Sequence, residues 1–542
     1  MLNLLNETFS SLLQPFSFKY LALLAIFVIL IYKWFSTSAN SSPRSPPKLP
    51  IIGNLHQLGQ HLQRSLQTLA QRHGPLMLLH FGSVPVLVVS SDETAREIMK
   101  THDITFANRP KNTFFKKICY NFKDVASAPY GEYWRQMKSI CVLNLLSNTR
   151  VRSFRAVREE ETKSMIDNIT KHCSSSPSSA SSAFNLSEML ETLTNDVICR
   201  VALGRKYSDG GERGRTFKKL AGELTLVMSR IHIGDYIPWL SWIARLNGLD
   251  AKFDDLAKRF DEFLEIVVQE HMDEFDGLTK NEDQKDLVDV LLCLQADSPI
   301  DRVSIKAVIL DVFVGGTDTS FTLLEWTMSE LLRHPRVMEK LQNEVRGIVG
   351  KKTDIIREDD LVGMHYLKAV IKETLRLHPS IPLLLPRLST QDAQINGYDI
   401  KANTQVIVNA WQIGRDPKSY NKPEEFEPER FLDSVIDYKG NYFHYIPFGA
   451  GRRGCPGIQF AMAVQEIALA NLVHKFDWAL PNGTRGEDLD MTESTGGSIR
   501  RVLKRVQRYS TEVGAWGSGG DVCCAVEEEG EGWGMHVVRE GV

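Results

Sequence analysis

Cys455 lies in a ten-residue run from Phe448 to Gly457, with glycines at positions 449, 451, 454 and 457. Glycine lets a backbone approach another group closely. Backbone N–H groups and the arginines at 452 and 453 favour a thiolate, the form of cysteine that binds metal. A lone cysteine is ordinarily inert packing. Here, however, Arg453 supplies a cation suited to a carboxylate, and Phe448 supplies a flat apolar cover. Thiolate, cation and aromatic face together suit a haem with its propionates.

A second polar cluster, Thr317 to Ser320, follows Gly315 and Gly316 in the longest helical candidate, Ile305–Arg333. The stretch from Val308 to Val314 is apolar almost all round, which predicts a buried helix. Pro335 predicts its end. Two glycines cost ~1 kcal/mol each in a helix interior, and buried polar groups must be paired. One reading is a kink with hydroxyls bonded back to the helix. The other is a helix opened beside a ligand, with Asp318 and Thr319 as a proton relay.

The surrounding elements are mostly helical, with a few hairpins. Leu76–Phe81 and Val84–Ser90 read as strands around Gly82, and Asn396–Gly397 between apolar runs is a hairpin turn. Apolar residues at 253, 256, 257, 260, 263, 264, 267 and 268 make one helical face. Ser174–Ser182 and Ser208–Gly214 read as loops. No second linker divides the pattern, so residues 51–501 form one large domain.

Of 542 residues, 43% are hydrophobic and 24% charged, which excludes a disordered or collagenous chain. The net charge is −3, so no basic excess points to nucleic acid. Eight cysteines, scattered except for the adjacent Cys523 and Cys524, predict neither a disulfide framework nor a zinc site, and fit a reducing compartment. The run from Tyr20 to Tyr32 is apolar and bracketed by Lys19 and Lys33. At ~1.5 Å per residue it spans ~20 Å, and flanking apolar and snorkelling residues extend it. It reads as a transmembrane signal anchor over residues 20–35 rather than a cleaved signal peptide. Residues 1–19 form a short lumenal tail. Lys33, Arg44 and Lys48 on the far side leave the bulk of the chain cytosolic. Residues 36–50 are a Ser/Pro-rich hinge, read either as a plain linker or as a semi-rigid strut.

The Phe448–Gly457 run matches the haem-thiolate pattern of the cytochrome P450 family at every fixed position, and the chain resembles that family. Four segments agree with it. Glu373 and Arg376 resemble its Glu-x-x-Arg helix, and Arg430 in the run from Pro428 to Phe431 resembles the arginine that completes that buried network. Gly315 to Thr319 resembles the oxygen-activation motif, and Trp134 to Lys138 resembles a propionate-binding motif. Other stretches resemble plant A-type microsomal members acting on specialised metabolites.

The resemblance implies a mainly α fold with a small β-rich lobe, preceded by the anchor helix. It implies haem b with Cys455 as axial iron ligand, and Trp134, Lys138, Arg387, Phe448, Arg453 and Gly457 around it. Asp318 and Thr319 would deliver protons during oxygen activation. Glu373, Arg376 and Arg430 would be structural. Phe114, Phe115, Val312, Gly315, Gly316, Ile381, Leu383 and Leu384 would meet substrate. The implied partners are O2, a small hydrophobic metabolite (terpenoid, coumarin, aldoxime or alkaloid), membrane lipid and a flavoprotein. That flavoprotein is NADPH–cytochrome P450 reductase, steered by Arg135, Lys138 and Arg452. The implied location is the endoplasmic reticulum membrane, single-pass, with the catalytic domain facing the cytosol.

Met491–Arg501 still resembles the family's C-terminal substrate-contact turn. Residues 502–542 depart from it: they are rich in Gly and Glu, lack strand alternation, and read as an aberrant reading frame rather than a genuine extension. Three functions compete: a monooxygenase, an oxygen-independent haem-thiolate dehydratase or isomerase, and a non-catalytic haem-binding protein. Asp318 and Thr319 favour the first.

Overall fold

The computed structural model describes residues 19–20, 22–25, 42–174, 185–208, 211–228, 230–274, 285–297, 300–350, 354–480, 484–494, 500, 510–513 and 521–523. Most of the predicted anchor and the Ser174–Ser182 loop lie outside these residues. The longer helices are α1 (Leu62–His73), α2 (Thr113–Ile118), α3 (Glu132–Ile140), α4 (Arg155–Ser174), α5 (Leu186–Leu203), α6 (Glu212–Met228), α7 (Leu249–Asp273), α8 (Leu287–Asp297), α9 (Arg302–Arg333), α10 (Pro335–Val349), α11 (His365–Leu377) and α12 (Ile458–Lys475). The strands are β1 (Leu76–Phe81), β2 (Val84–Val89), β3 (Arg387–Leu388), β4 (Ala393–Ile395), β5 (Tyr398–Ile400), β6 (Gln405–Val408), β7 (Asp477–Ala479), β8 (Ser510–Val513) and β9 (Asp521–Cys523).

One sheet has the order β1-β2-β6-β3. β1 and β2 are antiparallel around Gly82, which takes φ +59° in the turn. β2 and β6 run parallel, with Val86 opposite Gln405 and Val89 opposite Val408. The predicted hairpin is β4–β5: Asn396 (φ +48°) and Gly397 (φ +81°) supply the two left-handed residues its turn needs. The later part of the Ser/Pro-rich stretch packs on this lobe, for Leu78 N–H donates to Arg44 O at 3.3 Å.

The largest core is helical, and α9 runs through it against α5, α11 and α12. Its N-cap is Asp301, whose carboxylate accepts from Ser304 N–H at 2.7 Å. That cap sets the start at Arg302, three residues before the predicted Ile305. Pro335 opens α10 directly after it, where proline's missing N–H costs nothing. α7 buries Phe253, Leu256, Phe260, Leu264, Val267 and Val268, the face read from the spacing.

Three readings need correction. The predicted loop Ser208–Gly214 ends early, because α6 begins at Glu212 and takes Gly214 into its first turn. A Cβ at Gly214 would stand 2.3 Å from Tyr207 O, so close packing explains a glycine that looked like a loop residue. The tail, read as lacking strand alternation and the family's closing strand, still contributes β8 and β9, which pair antiparallel and extend β7; backbone hydrogen bonding needs no apolar alternation. Cys173 is disulfide-bonded, whereas Cys119, Cys141, Cys199, Cys293 and Cys455 are free. Sequence spacing tests frameworks and zinc sites, and does not disclose a single bridge.

Candidate active site

The Cys455 loop runs into the N-terminus of α12. Cys455 N–H donates to Phe448 O at 3.0 Å, and Gly457 N–H points at Cys455 Sγ from 3.4 Å. Gly451 (φ +67°) allows the close approach: a Cβ there would meet Met99 O at 2.1 Å. The thiol opens on a cavity of about 290 Å³, with protein atoms crowding its other sides. Burial pushes its pKa up, while the Gly457 N–H and the Lys138 ammonium pull it back. Lysine therefore takes the part the sequence assigned to neighbouring arginines, because Arg453 turns away to bind backbone carbonyls.

Arg453 donates to Ala107 O (2.6 Å), Val125 O (3.2 Å) and Ala128 O (2.5 Å), and its guanidinium lies 4.3 Å over the Trp134 ring. Trp134 Nε1 donates to Val125 O at 3.0 Å. Arg387 bonds Ala450 O at 2.6 Å and Asp103 at 3.2 Å. Lys138 Nζ bonds Gly454 O at 2.9 Å. Trp134, Lys138, Arg387, Phe448, Arg453 and Gly457 all line the Cys455 cavity. A residue the sequence reading missed, Arg109, joins them. It is buried and donates to Ala126 O, Leu385 O and Pro386 O. Burial, then the like charges of Arg453 and Arg387, lower its pKa well below the usual range. Burial and Arg387 likewise bring Arg453 down to about 10.

Such a gathering of buried guanidinium groups suits an anion. With a thiol on the floor, the donor set fits an iron porphyrin carrying carboxylate tails.

A second, mostly apolar cavity of about 1000 Å³ adjoins the first, and Asp311, Gly315, Thr319, Ile381 and Leu384 line both. Phe114, Phe115 and Leu383 line the larger one, while Val312 and Gly316 line the smaller. The two glycines differ. A Cβ at Gly315 would meet nothing within 4 Å, whereas one at Gly316 would stand 2.3 Å from Ile198 Cδ1. α9 is continuous through both, and Thr319 Oγ1 donates back to Gly315 O at 2.7 Å. The hydroxyl is therefore back-bonded, but in a helix that is neither broken nor opened and that lines both cavities. Asp318 faces the larger cavity, ion-paired to Arg500 with Nε–Oδ1 at 2.6 Å. Arg500 also lies 4.8 Å over the Phe321 ring. Nothing in its local sequence marks this pairing.

Glu373, Arg376 and Arg430 stand apart from the cavities. Arg376 grips Glu373 through Nε (2.7 Å) and Nη2 (2.8 Å), and Arg430 Nε reaches the same carboxylate at 2.9 Å. Arg376 also donates to Gly414 O, Pro423 O and Glu425 O. The network thus fastens α11 to the segment that leads into the Cys455 loop.

The cytochrome P450 family model matches residues 43–505. Cytochrome P450 736A117 of Prunus mume is 67% identical over 503 residues, covering 91% of this chain and 95% of that one. The norfluorocurarine oxidase of Strychnos sp is 53% identical, covering 91% of this chain and 97% of its own. A zebra fish cytochrome P450 solved with abiraterone superposes with a TM-score of 0.70 at 25% identity, covering 87% of this chain and all of that one. With its thiol-floored, arginine-edged cavity and a match over most of its length, the chain belongs to the cytochrome P450 family of haem-thiolate monooxygenases.

Proposed function

We propose that this enzyme inserts one atom of O2 into a small hydrophobic specialised metabolite, with electrons from NADPH delivered by a flavoprotein reductase. The observation that carries the reading is the position of Thr319. Thr319 belongs to the wall shared by the Cys455 cavity and the larger apolar one, between where a cofactor and a substrate would sit. When bound, haem supplies the activation of O2. Cys455 would hold its iron, and Arg109, Arg387, Arg453 and Trp134 would take its propionate edge. Thr319 would hold a proton donor at the cavity seam, and Asp318, oriented by Arg500, would resupply it. Phe114, Phe115, Ile381, Leu383 and Leu384 would exclude water and orient the substrate. The substrate class rests on that apolar lining and on what the relatives' names suggest.

Arg135 and Arg452 are exposed and suit an acidic reductase face by steering. Lys138, which the sequence reading added to them, is tied to Gly454 O and serves the cavity instead. Leu49, Ile51, Ile231, Trp239, Trp242 and Leu246 are exposed apolar side chains. Hydrogen bonds from Gly82 to Ile52 and from Ser83 to Tyr236 bring their two segments together, which supports a domain resting on lipid beside its N-terminal anchor.

The test is spectral, then isotopic. Reduced protein with carbon monoxide should give the thiolate Soret band, and Cys455→Ser should abolish it. With labelled O2 the product should carry one labelled atom, and product formed without oxygen would refute the monooxygenase reading.

A further inference from the structure

Asp311 is half-buried on α9, two turns before Thr319, and lines both cavities. Its Oδ2 accepts from Val125 N–H at 2.5 Å and Ala126 N–H at 3.3 Å. The carbonyls of the same two residues are held from the other side: Val125 O by Trp134 and Arg453, and Ala126 O by Arg109. Residues 125 and 126 thus form a strap with α9 on its donor side and the propionate-edge groups on its acceptor side. The preceding residue, Asp124, is buried, accepts from Ser127 N–H at 2.9 Å, and lies close enough to the Asp311 carboxyl to raise its pKa.

We propose that Asp311 is a positioning residue: with Asp124 it clasps the Val125–Ala126 strap to the central helix and so holds Trp134, Arg109 and Arg453 in register at the edge of the haem cavity. The reading rests on the haem assignment of that cavity. Two carboxyls this close hold one proton between them, because two charges there would repel. Burial raises Asp124 to about 6 and Asp311 well above the carboxylate range, as such sharing requires. The strap's N–H groups need an acceptor on this side, since buried donors left unpaired are costly. An asparagine at 311 can serve, accepting from the strap through its carbonyl and donating to Asp124 through its amide. Alanine can do neither.

The test uses the haem-loaded full-length chain, with hydrogen exchange of the strap amides and haem transfer to apomyoglobin as readouts. In the wild type, the Val125 and Ala126 amides should exchange at least a hundredfold slower than an unstructured loop. Asp311→Ala should speed their exchange, and haem loss with it, by tenfold or more. Asp311→Asn should restore both to within about threefold. Fast exchange in the wild type overturns the clasp even if no variant folds. So does an Asp311→Ala protein with unchanged exchange, or an Asp311→Asn protein as impaired as alanine. A wild type that binds no haem instead refutes the cofactor assignment, and exchange of the strap amides in that haem-free chain still decides the clasp.

Discussion

Arg376→Met should come close to abolishing the folded protein. Methionine fills similar volume but donates nothing. The side chains of Glu373 and Arg376 are both 0% exposed. The change leaves the Glu373 carboxylate with one guanidinium contact from Arg430 and the Glu427 N–H at 2.8 Å. It also strips Arg376 from the carbonyls of Gly414, Pro423 and Glu425, of which Glu425 O keeps only a long contact, 3.4 Å, from Arg430. Losing one partner of a buried ion pair costs about 3–5 kcal/mol, and each buried acceptor left unpaired costs about 1–3 kcal/mol more. The sum reaches the lower part of the ~5–15 kcal/mol that holds a domain together. Arg376→Lys keeps the charge but loses the fork, and should fall between methionine and wild type. Arg430→Met should cost less than Arg376→Met, because Arg430 is 11% exposed and its carbonyl contacts run from 3.1 to 3.5 Å. The assay is the yield of carbon-monoxide-binding protein, together with the thermal midpoint. An Arg376→Met protein that accumulates and melts like wild type would refute the network's role in holding the loop segment.

Thr319→Ala should fold and bind haem, yet release more hydrogen peroxide and yield about a tenth of the product per NADPH, equivalent to ~1.4 kcal/mol; unchanged coupling would remove Thr319 from proton delivery. Gly316→Ala should destabilise by roughly 1–3 kcal/mol through overpacking against Ile198, whereas Gly315→Ala, meeting open space in a helix interior, should stabilise by up to ~1 kcal/mol, raise the melting temperature and change the spectral shifts given by bound ligands. Burial would raise the Glu330 carboxyl, but hydrogen bonds from His334 and His378 outweigh it and bring it down to about 2. Its contribution is therefore present above the ordinary value of 4.5 and fades as pH falls toward 2. His334 is opposed by its burial but raised overall by Glu330, so its share is full below its ordinary 6.5 and fades as pH rises past the raised value. Urea midpoints across pH should show that bias and lose it in Glu330→Gln; an identical profile in the variant would refute it.

What the sequence disclosed were groups whose partners lie near them in the chain or in a fixed local geometry. The Cys455 loop, the Asn396–Gly397 turn and the one-faced helix from Phe253 are of this kind. Glu373 and Arg376 meet because helical residues three apart share a face. Arg109, Asp311, Asp124 and Arg500 were not legible as a site. Each is an ordinary polar residue whose meaning comes from a partner brought up by tertiary folding, as when Arg500 reaches Asp318. Gly316 was visible as a glycine but not as a packing requirement, because the atom that excludes a Cβ belongs to Ile198 on another helix.

The parallel pairing of β2 with β6 carries a consequence for biosynthesis. Its partners, such as Val89 and Val408, lie more than three hundred residues apart, and at about 5–20 residues per second the ribosome needs tens of seconds to make the second after the first. Through that interval β2 emerges with one edge unpaired, the condition under which apolar strands aggregate. Cys455 is translated later still. Cofactor capture must follow translation of nearly the whole domain, so the open edge of β2 needs cover, from a chaperone or from the chain's own packing, until β6 arrives.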